Sequence, residues 1–251
     1  MTFTVEMAEV VRDLSALRSL DLRGCDVTAD AFQIAASNLS IQTLAFEPTA
    51  ELPLDVLGDI PAPERLRSLH FHTRVWLLPK HVGMQLGEWP RPEHDLEVLA
   101  RFTSLEHLSL WLPGRVRGSQ LRHLSNLTKL RDLDLSGERS IEDAHLEWLP
   151  SSIERIDLSR TGWSGRLPTA WKRLRVITAE GCANLRNKAI AGLRALTQLQ
   201  ALRLWEMLRV SQRRAAISRT PPPGWLTQWA ERWRHTRLSA ARSLQIRRKR
   251  E

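Results

Sequence analysis

Aspartates 132, 134 and 157 and Glu180 lie in the short stretches DLDLS, RIDLS and ITAEG. Two carboxylates held side by side can divide the work of general acid and general base. The chemistry therefore depends on whether the chain brings Asp134 and Asp157 onto one surface. Three histidines offer a second possibility. His70 and His72 stand at i, i+2 on one face of an extended segment, His107 follows in a similar segment, and three imidazoles can ligate zinc. No acid or cysteine at ligand spacing accompanies them, so exposed imidazoles are the preferred reading, with no metal or other cofactor expected. Trp111 and Trp205 each end an aliphatic run, and large aromatics of this kind anchor protein interfaces. Arg155, next to the first aspartates in pattern, and Arg203 complete the set.

These residues are placed by a repeat. The pattern L-x-x-L-x-L recurs as LRSLDL (17–22), IQTLAF (41–46), LRSLHF (66–71), LEHLSL (105–110), LRDLDL (130–135), IERIDL (153–158), LRVITA (174–179) and LQALRL (199–204). Its fourth positions, Leu20, Leu44, Leu69, Leu108, Leu133, Ile156, Ile177 and Leu202, are separated by 24, 25, 39, 25, 23, 21 and 25 residues. Alternation in L-x-L puts two aliphatic side chains on one face of a short strand and the residue between them on the other. A single unit of this kind cannot bury its own apolar face, so units must stack, each strand beside the last.

Stacking turns the flanking residues into rows. The middle row reads Asp21, Ala45, His70, Ser109, Asp134, Asp157, Thr178, Arg203; the row after it Arg23, Glu47, His72, Trp111, Ser136, Ser159, Glu180, Trp205. The row before it holds His107, Asp132 and Arg155 in succession. Asp134 and Asp157 are expected to be neighbours, with Arg155 beside Asp132 to offset charge. Eight strands at ~4.8 Å make a strip about 35 Å long, enough for an ordinary protein interface.

The residues quoted above resemble the leucine-rich-repeat superfamily over roughly residues 14–206. LRSLDLRGCDVTADAF resembles the cysteine-containing and ribonuclease-inhibitor-like subtypes; LPSSIERIDLS and LPTAWKRLRVI resemble the L-P-x-x-L-x-x-L coils of bacterial leucine-rich proteins, including effectors delivered into hosts. The resemblance implies an α/β fold: a curved, right-handed solenoid with a parallel sheet on its concave face and helical or irregular returns on its convex face. It implies protein binding on that sheet and no enzyme, since Asp is a common outward residue in the family's L-D-L. One departure stands out. The asparagine that usually bonds the turn backbone is replaced by Cys25, Thr49, Glu138, Thr161 and Cys182. The two cysteines are expected to be small buried core residues, too far apart in sequence to suggest a disulfide framework and compatible with a reducing compartment. Among the returns, Thr28 before ADAFQIAA, Ser140 before AHLEWL and Asn187 before KAIAGLRAL are expected helix caps.

Domain organisation follows: an N-terminal capping helix over 1–16, a solenoid of about eight coils over 17–206 with an insertion near 72–104, and a basic, Trp-rich cap or tail over 207–251. The long 39-residue step carries the insertion, with Trp76, Trp89 and Pro79, Pro90 and Pro92; it reads either as a protruding loop that separates the strands on either side or as one degenerate coil with VWLL as its strand. The net charge of +9 is concentrated at one end: residues 207–251 hold 12 Lys+Arg and 2 Asp+Glu, a charge of +10, while the other residues hold 25 and 26, a charge of −1. Trp225, Trp229 and Trp233 recur every four residues after Pro221–Pro223, reading as a helix that covers the open end of the solenoid. Its basic run RRKRE can contact an anionic surface, but no zinc-finger, helix-turn-helix or RNA-binding signature supports nucleic-acid recognition. No stretch has the length and apolarity of a transmembrane helix, and the start lacks the order of a secretory signal. The expected protein is a cytoplasmic, non-enzymatic interaction module binding a partner through Trp111, Trp205, Asp132, Asp134, Asp157, Arg155, His70, His72 and Arg203. The alternatives are a bacterial effector or part of one, reaching a host cell without a signal peptide, and polyanion or membrane-surface binding through the tail.

Overall fold

The chain divides into two compact units, Met1–Arg213 and Arg214–Glu251. The computed structural model describes residues 1–49, 52–72, 95–112, 114–185 and 193–204, all in the first unit. Trp205, the Trp-rich tail, the Trp76 and Trp89 region and the Asn187 cap lie outside these residues.

Eight strands form one parallel sheet: β2 (Ser19–Asp21), β4 (Thr43–Phe46), β5 (Ser68–His72), β6 (His107–Trp111), β7 (Asp132–Asp134), β8 (Arg155–Asp157), β9 (Val176–Thr178) and β10 (Ala201–Arg203). They lie side by side in chain order. The register is that of the repeat. Leu20, Leu44, Leu69, Leu108, Leu133, Ile156, Ile177 and Leu202 are partners in succession. All but Leu202 are buried, and the second aliphatic of each L-x-L, from Leu22 to Ala179, is buried beneath the same sheet. This is the arrangement the stacking argument requires: each coil covers the apolar face its neighbour cannot cover alone.

The expected separation at the 39-residue step does not occur. β5 and β6 are paired over five positions, from Ser68↔His107 to His72↔Trp111. These two strands are also the longest of the sheet at 5 residues each. Residues 95–104 of the proposed insertion form an ordinary return, a 3₁₀ turn over Glu97–Arg101 with Leu96, Leu99 and Phe102 buried.

At the N-terminal end, β1 (Thr2–Phe3) pairs in parallel with β3 (Asp26–Val27), and α1 (Val5–Asp13) follows. The Thr4 side chain caps α1 by accepting the Met7 N–H. α2 (Ala29–Ala36) is capped by Thr28 as expected, and buries Ala31, Phe32, Ala35 and Ala36. Buried Asn38 ties the two helices together. Its Nδ2 donates to the carbonyls of Val11 at 2.8 Å and Leu14 at 2.9 Å at the end of α1, which also accept the N–H groups of Leu14 and Leu17, and its Oδ1 accepts the Ser40 N–H. Phe32, Phe46 and Phe71 then continue the core as an aromatic run, with centroids 4.8 and 5.2 Å apart.

The other returns are mostly 3₁₀ turns, at Leu54–Asp59, Pro63–Arg65, Gly118–Leu124 and Leu193–Ala195, with one short helix, α3 (Asp143–Leu146). Ser140 does not cap α3. Glu142 does, while Ser140 Oγ donates to the Val116 carbonyl of the preceding coil. Asp143 instead accepts the N–H and Oγ–H of Ser164 in the following coil. Both side chains stitch coils together, which offers more in a solenoid than capping a four-residue helix.

Four of these coils leave their strand through a left-handed residue placed just before the position of the missing asparagine: Gly24, Gly137, Arg160 and Gly181 all have positive φ. The residues that follow solve the turn differently. Thr49 Oγ1 accepts the Leu52 N–H, Thr161 Oγ1 donates to the Leu158 carbonyl, and Cys182 Sγ donates to the same carbonyl at 2.9 Å. Cys182 is buried, but Cys25 is only half-buried, a correction to its reading as a core residue. Its coil lies at the end of the sheet, where no earlier sheet coil covers it. Glu138 is the most unusual substitute: it is fully buried and reaches back one coil to accept the N–H groups of Gly114 (3.1 Å) and Val116 (3.3 Å) on Oε2. Burial pushes its carboxyl up to about 8 against those N–H groups.

Candidate protein-binding face of the sheet

The sheet face opposite the core is built from three rows of side chains, one residue per strand in each. Their order follows from the pleat: once the leucines point inward, the flanking residues point outward. The middle row is Asp21, Ala45, His70, Ser109, Asp134, Asp157, Thr178 and Arg203, all in register. Asp134 and Asp157 are direct partners on β7 and β8.

Both aspartates are tied down. Asp134 Oδ1 accepts the Ser136 N–H and its Oδ2 accepts the hydroxyl of Ser109. Asp157 Oδ1 accepts the Ser159 N–H at 2.8 Å. The Asp157 carboxyl is pushed up to about 6, first by burial, then by the negative charge of Asp134, with Glu180 adding to it.

The row before it contains a tighter cluster. Asp132 on β7 is a register partner of both His107 on β6 and Arg155 on β8. His107 Nδ1 faces Asp132 Oδ2, and the Arg155 guanidinium reaches both carboxylate oxygens. Burial acts to raise the Asp132 carboxyl, but the His107 and Arg155 hydrogen bonds outweigh it and hold the group below its ordinary value. Ser68 precedes His107 in the same row, so serine, histidine and aspartate succeed one another across three strands, in the order of a nucleophile–base relay. No hydrogen bond joins Ser68 to His107 among the described residues, and Ser68 is buried. The row therefore acts as an ion-pair network around Asp132.

The three histidines do not gather. His107 is turned to Asp132, while His70 and His72 lie in the other two rows. Burial, followed by the charge of Arg23, pushes His70 down to about 4, which keeps its imidazole neutral. Among the described residues no group of three or more His, Cys, Asp or Glu side chains is placed to hold a metal ion. His72 instead packs against Trp111 in a tilted contact, with ring centroids 4.0 Å apart and planes at 55°. The pair forms an aromatic step at the C-terminal ends of β5 and β6. At the end of the sheet Arg23 grips Asp21 with two hydrogen bonds, at 2.9 and 2.6 Å. Arg203 sits at the opposite end on β10, half-buried.

Sequence reasoning placed these rows but missed how Asp132 is held from both sides. The signal was present: His107, Asp132 and Arg155 are consecutive in one row. It also missed Trp163 and Trp171, which are wholly buried in the returns between β8 and β9.

Its repeat and its eight-stranded parallel sheet give the chain the leucine-rich-repeat fold, an α/β solenoid. No protein-family profile matches the sequence, and no curated protein matches it. Among solved structures it is similar to the internalin InlF of Listeria monocytogenes, at 16% identity and a TM-score of 0.49, over 76% of this chain and 49% of that one. It is also similar to the leucine-rich-repeat ectodomain of the plant receptor kinase GASSHO1/SCHENGEN3 of Arabidopsis thaliana, solved in complex with CASPARIAN STRIP INTEGRITY FACTOR 2. There the identity is 15% and the TM-score 0.35, over 81% of this chain and 31% of that one. The chain thus spans about half and about a third of these two proteins. No helix among the described residues is long and apolar enough to cross a membrane.

Proposed function

We propose that the chain is a non-enzymatic interaction module that holds one protein partner on the outward face of its sheet, and that the partner presents a basic segment there. The observation that carries this reading is the Asp134–Asp157 pair. Two carboxylates stand on adjacent strands, and one is lifted to about 6 by burial and by the other. A lysine or arginine side chain seated over the pair removes the repulsion and satisfies both acids at once. The His72–Trp111 step beside it offers an aromatic surface for the apolar stem of the same side chain or its neighbour. Arg155 does not compete, because Asp132 already holds it.

The test is a binding assay with short peptides of matched length carrying Arg/Lys, neutral or acidic sequences, read by fluorescence anisotropy. The basic peptides are expected to bind, and the double substitution Asp134→Asn/Asp157→Asn to weaken them at least tenfold at constant ionic strength, about 1.4 kcal/mol. Equal binding of all three peptide classes, or no effect of the substitution, would sink the reading.

A further inference from the structure

The edge of the sheet at which each strand begins carries a row of its own. Arg67, Glu106, Arg131, Glu154 and Arg175 occupy it in successive coils, each N–H bonded to the carbonyl of the residue before. Their charges alternate in sign. Toward one end the alternation closes into a pair, with Arg67 Nη1 3.3 Å from Glu106 Oε1. Toward the other it opens. Arg175 Nε lies 3.9 Å from Glu154 Oε2, and a solvent-connected cavity of about 370 Å³ lies beside them, lined by Glu154, Lys172, Arg173, Arg175 and Gln198.

The lining is unbalanced: three cations meet one carboxylate. The Lys172 and Arg173 side chains make no hydrogen bond or ion pair with any described residue. The equivalent of Arg173 two coils earlier is Lys129, and that ammonium is bonded to Ser104 Oγ at 3.3 Å. At β8–β10 the edge combines a concavity with two cations, Lys172 and Arg173, that lack partners among the described residues. Two guanidinium forks match the oxygen spacing of a tetrahedral anion, the ammonium adds a point charge, and the Gln198 amide supplies a neutral donor.

We propose that this cavity binds a phosphate group, either as the free anion or as the monoester of a small molecule. The two sources share one chemistry, a compact oxyanion of charge near −2 with three or more accepting oxygens. The site is separate from the acidic sheet face, so it neither rests on the protein-partner reading nor supports it.

The experiment is isothermal titration of the full chain with sodium phosphate and with O-phosphoserine, against sodium chloride at matched ionic strength. Phosphate is expected to give saturable binding that chloride does not. Lys172→Gln/Arg173→Gln, a change of two exposed side chains, is expected to weaken it about tenfold or more. Lys129→Gln is expected to leave it unchanged. Tighter binding of phosphoserine than of phosphate assigns the site to a monoester; weaker binding assigns it to the free anion. The proposal is overturned if chloride gives the same heats, or if the double substitution binds as the parent does. In the latter case the basic segment 207–251, intact in every variant, accounts for the anion binding.

Discussion

Asp134 and Asp157 are register partners on neighbouring parallel strands, and the second carboxyl titrates near 6 because it is buried beside the first. Burial is the larger cause. Replacing Asp134 by Asn is therefore expected to lower the Asp157 pKa while leaving it above its ordinary 3.8. A carboxyl NMR titration of Asp157 in the two proteins measures this directly. A value unchanged by the substitution would mean that the two acids do not sense each other.

Glu138 gives the fold a pH dependence of definite sign. Its carboxyl sits near 8 in the folded chain and at an ordinary 4.5 when exposed. The folded state thus binds a proton more strongly than the unfolded one. Its contribution to stability is complete below about 4.5 and is lost as pH rises toward about 8, by at most about 1.4 kcal/mol per pH unit. Glu138→Gln, which keeps an accepting oxygen for Gly114 and Val116 without the ionisable proton, is expected to flatten that slope. Urea denaturation of both proteins from pH 5 to pH 8 decides the matter; parallel slopes would refute the assignment.

Asn38 satisfies two carbonyls at the end of α1 while buried itself. Asn38→Ala leaves these carbonyls only the backbone N–H groups of Leu14 and Leu17, strips the Ser40 N–H of its acceptor, and is expected to cost about 1–3 kcal/mol. The loss should appear first as faster amide exchange in α1, since that helix leans on α2 through this side chain. Uniform exchange across the chain would show that the contact is not local.

Gly181 turns the chain out of β9 with φ +66, and a Cβ placed there would lie 3.2 Å from Arg160 Cγ. Gly181→Ala is expected to destabilise the chain by about 1–2 kcal/mol, from the left-handed backbone alone. Thermal melting of the variant is the check.

The sheet was legible in the sequence because its cause is local and periodic. An L-x-L alternation fixes which side chains point inward, and once the leucines are anchored, every row across the sheet follows, down to the His107, Asp132 and Arg155 neighbours. The returns were less legible because their determinants are contacts between coils. Nothing near Ser140 in sequence announces that its hydroxyl belongs to Val116, nor that Asp143 serves Ser164. Glu138 shows the same limit: a glutamate in a turn reads as solvated, and only the backbone of the preceding coil makes it a buried acid. Trp163 and Trp171 stand among Gly, Ser, Thr and Pro, a loop composition, yet they fill the interior.

The pairing of β5 with β6 has a practical consequence. Because hydrogen bonding passes from Leu69 to Leu108 without interruption, the coils on the two sides of the 39-residue step form one cooperative ladder, and amide exchange in β5 and β6 is expected to be as slow as in β7 rather than to mark a seam where the solenoid comes apart.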